Sequence, residues 1–186
     1  METKQRFVGI YMDLTTKERI NFLLEHLSHF ESYHQAYQES IEERISCIRC
    51  YERKKKGSLG VRVMSGNTIS DITAQKAMEH LEIRESMNRG TVSSKMIRNK
   101  EEREEIVEAI YEWKLMRSEY EILLRQLQML KPSDYEILYP YLMREKTKRQ
   151  IAEELSIEKS SVEKRIFRIR KKFVDHVIPY FKEYKS

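Results

Sequence analysis

Cationic side chains are concentrated in one short segment near the end of the 186-residue sequence. Residues 159–172 contain seven Lys or Arg side chains and one acidic side chain, Glu163, so the segment carries a net charge of +6. The whole chain carries only +5 at pH 7. Like charges at helical spacing repel one another unless a polyanion or an acidic partner is present. The segment is therefore a candidate surface for binding an anionic polymer.

The apolar residues of this segment predict a helix with two unlike faces. They recur every three or four positions: Val162, Ile166, Ile169 and Phe173. Such a stripe packs against the protein, while the opposite, cationic face lies in solvent. Ser160 followed by Glu163 has capping-box spacing, so Ser160 is expected either to cap this helix or to contact the ligand.

A shorter helix is predicted immediately before the cationic one. Thr147 and Gln150 have capping-box spacing at its start. Its apolar contacts are expected from three residues: Ile151, Ala152 and Leu155. A turn over residues 156–159 joins the two helices, as in a helix-turn-helix. A helix fits the major groove of duplex DNA, where outward side chains reach base edges and flanking cations reach phosphates.

The outward side chains of the two helices divide into two sets by position. Base contacts are expected from the outward face, which carries Ser160, Ser161, Lys164 and Arg168. Lys159, near the helix start, is expected either to read bases or to position the helix on phosphate. Phosphate contacts are expected from the flanking cations: Lys148, Arg149, Arg165, Arg170, Lys171 and Lys172. Lys164 and Arg168 are the best base-reading candidates on this face. Double-stranded DNA is therefore the predicted partner.

No pattern in the sequence indicates catalysis. It contains no Gly-rich phosphate loop, no HExxH and no GxSxG, so we predict a protein that is not an enzyme and uses no cofactor. Cys47 and Cys50 form a CxxC on a predicted helix, but no second pair of zinc ligands accompanies them. Two reduced thiols are the favoured interpretation, and no metal site is predicted.

The composition favours an all-α fold. Only 5 Gly and 3 Pro occur, and hydrophobic residues make up 40% of the chain, which is adequate for a core. No apolar run reaches the roughly 18 residues that cross a bilayer, and the N-terminus lacks the apolar core of a secretory signal. We therefore expect no membrane association and a cytoplasmic location.

Residues 1–56 are the predicted N-terminal helical region. Thr15 or Thr16 is expected to cap a helix that continues without Gly or Pro to about Lys56. Its apolar residues form a heptad-like stripe, completed by a histidine: Ile20, Leu23, Leu27, Phe30, His34, Tyr37, Ile41 and Ile48. Residues 7–12 are either a strand or the lead-in to this helix.

Residues 57–70 are the predicted linker, in which residues 61–64 form a short strand or hairpin arm. The central helical region covers residues 71–130. Ser70 or Asp71 is expected to cap its first helix, which Gly90 closes. The apolar residues of that helix are Ile72, Ala77, Met78, Leu81 and Ile83.

A second long helix is predicted within residues 93–130. Its apolar residues follow a seven-residue repeat: Ile106, Ala109, Trp113, Met116, Tyr120, Leu123, Leu127 and Leu130. Two long stripes in one chain either pack together as an antiparallel hairpin or form a homo-oligomer through a coiled coil. The sequence leaves both alternatives open.

Residues 131–186 form the last predicted region. Pro132 breaks the preceding helix, and Ser133 with Glu136 has capping-box spacing. Pro140 is expected to kink or divide the helix that follows. The whole chain is thus predicted to combine long N-terminal and central helices with a C-terminal helix-turn-helix domain.

Residues 130–173, LKPSDYEILYPYLMREKTKRQIAEELSIEKSSVEKRIFRIRKKF, resemble the region-four DNA-binding module of bacterial sigma factors. The matching positions are Leu130, Pro132, Ile151, Ala152, Glu153, Leu155, Ser160, Val162, Arg165, Ile166 and Lys171. Ser156 stands where that family usually has glycine, and a left-handed backbone costs serine more than glycine. The resemblance implies a DNA-binding helix-turn-helix over residues 131–186.

With the upstream segment TISDITAQKA included, the chain is similar to ArpU and RinA-type phage and prophage transcriptional regulators. Ser70, Asp71 and Thr73 match their serine-aspartate-x-threonine signature, whereas Ile72 stands where proline is frequent. This resemblance implies a sequence-specific regulator, an activator of late phage genes that acts with RNA polymerase. It would work in the cytoplasm of the bacterial host, at the nucleoid when bound to DNA.

Two other functions fit the same features. A small sigma factor would itself bind core polymerase and melt promoter DNA. A small-terminase-like packaging protein would recognise genome ends and oligomerise through its helices.

Overall fold

The computed structural model describes residues 8–56 and 72–181, which form helices joined by turns and irregular segments, with no strand among them. The helices are α1 (8–12), α2 (Thr16–Glu25), α3 (Phe30–Lys56), α4 (Ile72–Arg89), α5 (Lys100–Gln128), α6 (Pro132–Leu142), α7 (Lys148–Glu154) and α8 (Lys159–Val177). The all-α class is therefore confirmed. No helix within these ranges has both the length and the apolar character needed to cross a membrane.

Several predictions concern residues outside the described ranges. They are the linker over residues 57–70, the strand over residues 61–64, and the cap at Ser70 or Asp71. Of the two alternatives for the segment before α2, residues 8–12 adopt the helical one.

The N-terminal helix starts where predicted but is interrupted. Thr15 caps α2, since its hydroxyl accepts the Glu18 N–H at 3.4 Å and its own N–H donates to the Glu18 carboxylate at 2.9 Å. The expectation of one helix to Lys56 is wrong, because α2 ends at Glu25 and a 3-10 turn, Leu27–His29, precedes α3. Leu27 in this turn and Phe30 at the start of α3 are both buried, so the break coincides with core packing rather than with a Gly or Pro.

The chain forms two compact units. One comprises Met1–Gln35 and Leu115–Ser186, and the other comprises Ala36–Lys114. The unit boundaries cut across α3 and α5. The division into four regions is instead based on the linker and on Pro132. It stays a prediction.

In the second unit, α3 and α5 run antiparallel. The Tyr37 hydroxyl donates to the Glu112 carboxylate at 2.9 Å, and the Arg98 N–H, just before α5, donates to Glu52 at 2.8 Å. Residues later in α3 therefore contact residues earlier in α5, as in an antiparallel pair. Of the two alternatives, this arrangement is the intramolecular hairpin. A homo-oligomer formed through these helices stays a prediction.

The apolar face predicted for α4 is wrong in part. Met78 is 71% exposed and Leu81 is 61% exposed, whereas Ile83 and Met87 are buried. The partner helix decides this orientation: Arg49 of α3 pairs with Glu82 at 2.9 Å, on the side of α4 that faces α3.

Gly90 closes α4 as predicted. Its φ is +78°, its N–H donates to the Met87 carbonyl at 3.1 Å, and the Thr91 N–H donates to the Ser86 carbonyl at 3.2 Å. This pair of bonds is a Schellman closure, whose left-handed residue is most often glycine.

A buried ion pair ties α1, α2 and α5 together in the first unit. Arg19 Nη2 lies 3.1 Å from Glu119 Oε1, and the Tyr11 hydroxyl donates to the other carboxylate oxygen. All three side chains are buried, with Glu119 only 2% exposed. Burial raises the pKa of Glu119, although hydrogen bonds from Tyr11 and the charge of Arg19 act in the opposite direction.

Replacing Glu119 tests this cluster. Glu119→Gln leaves Arg19 buried beside a neutral group, so we expect a loss of about 3 kcal/mol in the free energy of unfolding, measured in urea. Glu121→Gln on the same helix removes only half-exposed ion pairs to Arg117 and Arg125 and should cost less than about 1 kcal/mol. Equal losses from the two variants would contradict a special role for the buried pair.

Candidate nucleic-acid interface

The cationic helix α8 belongs to the first unit, where α6 and α7 precede it. Helix α6 begins at Pro132 with Lys131 as its N-cap, so the predicted capping box of Ser133 and Glu136 is wrong. Proline presets the backbone of a first helical position, which moves the helix start upstream of Ser133. Pro140 does not divide α6 but lies in its last turn, before the helix ends at Leu142.

Helix α7 starts with the predicted capping box. The Thr147 N–H donates to the Gln150 side chain at 2.8 Å, and the Gln150 N–H donates to the Thr147 hydroxyl at 3.3 Å. Ile151 and Ala152 are buried as expected, but Leu155 is 41% exposed. The core contact predicted for Leu155 is therefore wrong, because the helix ends at Glu154 and Leu155 belongs to the turn.

The turn between α7 and α8 comprises residues 155–158, one residue earlier than predicted. Ser156 has a φ of +53°, the left-handed conformation that favours glycine. Its N–H donates to the Glu153 carbonyl at 3.2 Å, and the Ile157 N–H donates to the Ala152 carbonyl at 3.1 Å. A serine thus occupies the position of a Schellman closure at which the resemblance to sigma factors predicts glycine.

Ser160 does not cap α8. The N-cap is Glu158, so the predicted box of Ser160 with Glu163 is wrong. Ser160 lies in the first turn, where its hydroxyl donates to the Glu158 carboxylate at 3.1 Å, and it is exposed. Its side chain therefore faces solvent rather than completing the helix end.

The apolar stripe of α8 is buried as predicted. Its members are Val162, Ile166, Ile169 and Phe173, joined by Val174 and Val177. The stripe packs against α6, α7 and α2. The contact with α2 brings an N-terminal helix beside the cationic helix. The sequence assigns these two helices to separate regions.

The five base-reading candidates are all exposed: Lys159, Ser160, Ser161, Lys164 and Arg168. Arg168 Nε donates along the helix to the Lys164 carbonyl at 3.3 Å. The amines of Lys159 and Lys164 make no ion pair with any residue in the described ranges. All five side chains are thus accessible to solvent, and their contacts with bases stay a prediction.

The phosphate candidates on α7 are paired with neighbouring carboxylates. Lys148 lies 3.3 Å from Glu163, and Arg149 lies 2.9 Å from Glu153. Glu163 is the single acidic residue within residues 159–172, so its charge is directed toward α7. Both cations remain at the surface, where such pairs are weak and exchange readily.

The phosphate candidates on α8 divide into held and unpaired side chains. Arg165 donates to the Ser133 carbonyl at 3.2 Å and lies 3.6 Å from Asp134. Arg170 donates to Glu25 at 2.9 Å and to the Asn21 side chain at 3.1 Å. Lys171 and Lys172 are exposed and have no ion pair with a residue that the structure describes. These two lysines are therefore the phosphate candidates most accessible to a ligand.

Sequence reasoning missed Phe167. This side chain is 69% exposed on α8 and lies outside the 162, 166, 169, 173 register of the buried stripe. An aromatic residue out of register with the apolar stripe is the sequence signal that identifies it. Its position beside Lys164 and Arg168 adds an apolar element to the cationic surface.

Comparisons with protein-family models, with curated proteins and with solved structures find no match to this chain. The two resemblances drawn from the sequence therefore stay predictions. Cys47 and Cys50 are free, exposed thiols, and no group of three or more potential metal ligands occurs among residues 8–56 and 72–181. The cationic surface of α8 is the clearest candidate site on the described part of the chain.

The backbone strain in the turn before α8 can be tested by replacing Ser156 with glycine. Ser156→Gly relieves the left-handed strain, so we expect about 1 kcal/mol of added stability in urea unfolding. Ser118→Gly makes the same chemical change at an exposed position inside α5 and should cost about 0.5 kcal/mol. A loss of stability in Ser156→Gly would contradict the strained turn.

A second pair of variants compares the stability contributed by a cation that contacts α2 with that of an unpaired cation. Arg170→Ala removes contacts to Asn21 and Glu25, so we expect a loss of about 1 kcal/mol in the free energy of unfolding. Lys171→Ala should change it by less than about 0.5 kcal/mol, because that lysine is exposed and unpaired within the described residues. Indistinguishable stabilities would show that the contacts of Arg170 with α2 contribute nothing.

Proposed function

We propose that this protein binds double-stranded DNA sequence-specifically and regulates transcription, with α8 lying in the major groove. One observation carries the proposal: the outward side of α8 is cationic and includes lysines that no acidic residue of the described chain neutralises. These lysines are Lys159, Lys164, Lys171 and Lys172. Bringing a polyanion to such a surface releases counterions and relieves the repulsion between the lysines.

The arrangement of α8 supports separate roles for its cations. Lys164 and Arg168 lie one turn apart on the outward face, where a helix in the major groove presents side chains to base edges. Lys171 and Lys172 lie toward the helix end, where contact with the phosphate backbone positions the helix without reading sequence. Lys148 at the start of α7 pairs with Glu163, and in the proposed complex it exchanges this partner for a neighbouring phosphate.

The regulatory part of the proposal rests on the resemblance to phage and prophage regulators. We assign the protein to the activation of phage or prophage late genes, acting with RNA polymerase in the cytoplasm of a bacterial host. No catalytic step or cofactor is part of this role. Transcription reconstituted from purified components tests it: an activator needs a separate sigma factor, whereas transcription with core polymerase and this protein alone would identify a small sigma factor instead.

Two lysine variants test the separation of roles on DNA. Lys164→Ala should weaken binding to the preferred duplex by about 1–3 kcal/mol and relax sequence preference. Lys171→Ala should weaken binding to all duplexes alike and reduce the slope of log K against log salt by about one. Fluorescence titrations on a selected duplex and a random duplex, each at several salt concentrations, measure both effects.

The control for these titrations is Lys95→Ala. Lys95 is an exposed lysine of the second unit, outside the cationic surface of α8, so its removal should leave both slope and preference unchanged. Identical effects of Lys164→Ala and Lys171→Ala would refute the separate roles. Absence of salt-dependent duplex binding by the unaltered protein would refute the proposed function itself.

A further inference from the structure

Phe167 is the one large apolar side chain that α8 exposes on its outward side. It is 69% exposed, while the apolar residues of the stripe are buried. Its ring makes no contact with another aromatic ring in the described part of the chain. The side chain therefore contributes little to the folded core.

The surroundings of Phe167 are those of the proposed DNA surface. On one side its ring shares a shallow surface depression with Glu163, Lys164 and Arg168. On the other side it borders a cleft whose lining includes the cations Lys17 of α2 and Lys171, together with the carboxylates Glu25 and Asp175. Lys164 precedes it by one helical turn and Lys171 follows by one turn. An aromatic ring between two lysines at this spacing faces whatever the lysines bind.

We infer that Phe167 is a specificity-determining residue that contacts the C5-methyl group of a thymine in the major groove. This inference rests on the proposed function, since it needs α8 in that groove. Base edges in the major groove present hydrogen-bond donors and acceptors, and their apolar feature is the thymine methyl group. Lysines select acceptor groups and phosphates, so they cannot recognise a methyl group. Phe167 supplies the apolar contact that selects an A·T pair at its position.

The position of Phe167 on the helix favours this contact over insertion between base pairs. Side chains that wedge between base steps do so mainly from the minor groove, where they kink the duplex. A residue in the middle of a helix that lies along the major groove faces the edges of the bases instead. Contact with a methyl group also requires no distortion of the DNA.

Deoxyuridine substitution tests the inference directly. The duplex that the full-length protein prefers is first selected from a random library, and each thymine is then replaced in turn by deoxyuridine, which lacks only the methyl group. The unaltered protein should lose about threefold to fivefold in affinity at one position, the equivalent of one buried methyl group. Phe167→Ala should bind the thymine and deoxyuridine duplexes equally at that position.

Two controls keep the result interpretable. Tyr51→Ala removes another exposed aromatic ring, on α3, and should retain the discrimination between thymine and deoxyuridine. Phe167 is exposed, so the thermal unfolding midpoint of Phe167→Ala should match that of the unaltered protein.

The possible failures are distinguishable. If Phe167→Ala still discriminates thymine from deoxyuridine, or if it weakens all duplexes equally, the inference is wrong while the proposed function stands. If the unaltered protein selects no duplex, the proposed function fails and the inference fails with it. If replacing each thymine by deoxyuridine leaves the affinity unchanged while the protein still selects a duplex, only the role of Phe167 is overturned.

Discussion

The burial of one apolar stripe on α8 is the constraint on which the candidate interface depends. Val162, Ile166 and Ile169 pack against helices from both ends of the chain, and this packing sets the rotation of α8 about its axis. A helix rotated in this way must turn its other side to solvent. The stripe thus decides which lysines and arginines are available to a ligand. Charge alone would leave the helix free to present any face.

Neighbouring helices then divide the cations into two classes. Arg165 and Arg170 flank the stripe, so they reach acceptors on α6 and α2 and stabilise the packing. Lys164 and Lys171 lie opposite the stripe and make no ion pair with a residue that the structure describes. The ligand-facing charge is therefore smaller than the count of cations, but it is directed to one side, as recognition of a polyanion requires. Phe167 is exposed on the same side, and the thymine contact that we propose for it would distinguish one base edge from another.

Local sequence signals predicted some helix ends correctly and others wrongly. The caps at Thr15 and Thr147 and the closure at Gly90 form as predicted. The boxes expected at Ser133 and Ser160 do not form, since both helices begin upstream of these serines. The same four-residue pattern therefore marks a helix start only when the residues before it do not extend the helix toward the N-terminus.

The sequence by itself determined the all-helical class, the apolar register of α8 and the concentration of charge on that helix, because these follow from residue type and spacing. Only the tertiary structure decided the break after Glu25, the exposure of Met78 and the pairing of Arg170 with Asn21. Asn21 and Arg170 are 149 residues apart in the chain. A periodic pattern states which side of a helix is apolar, but which distant helix covers that side, and which cations it neutralises, depends on how the chain packs.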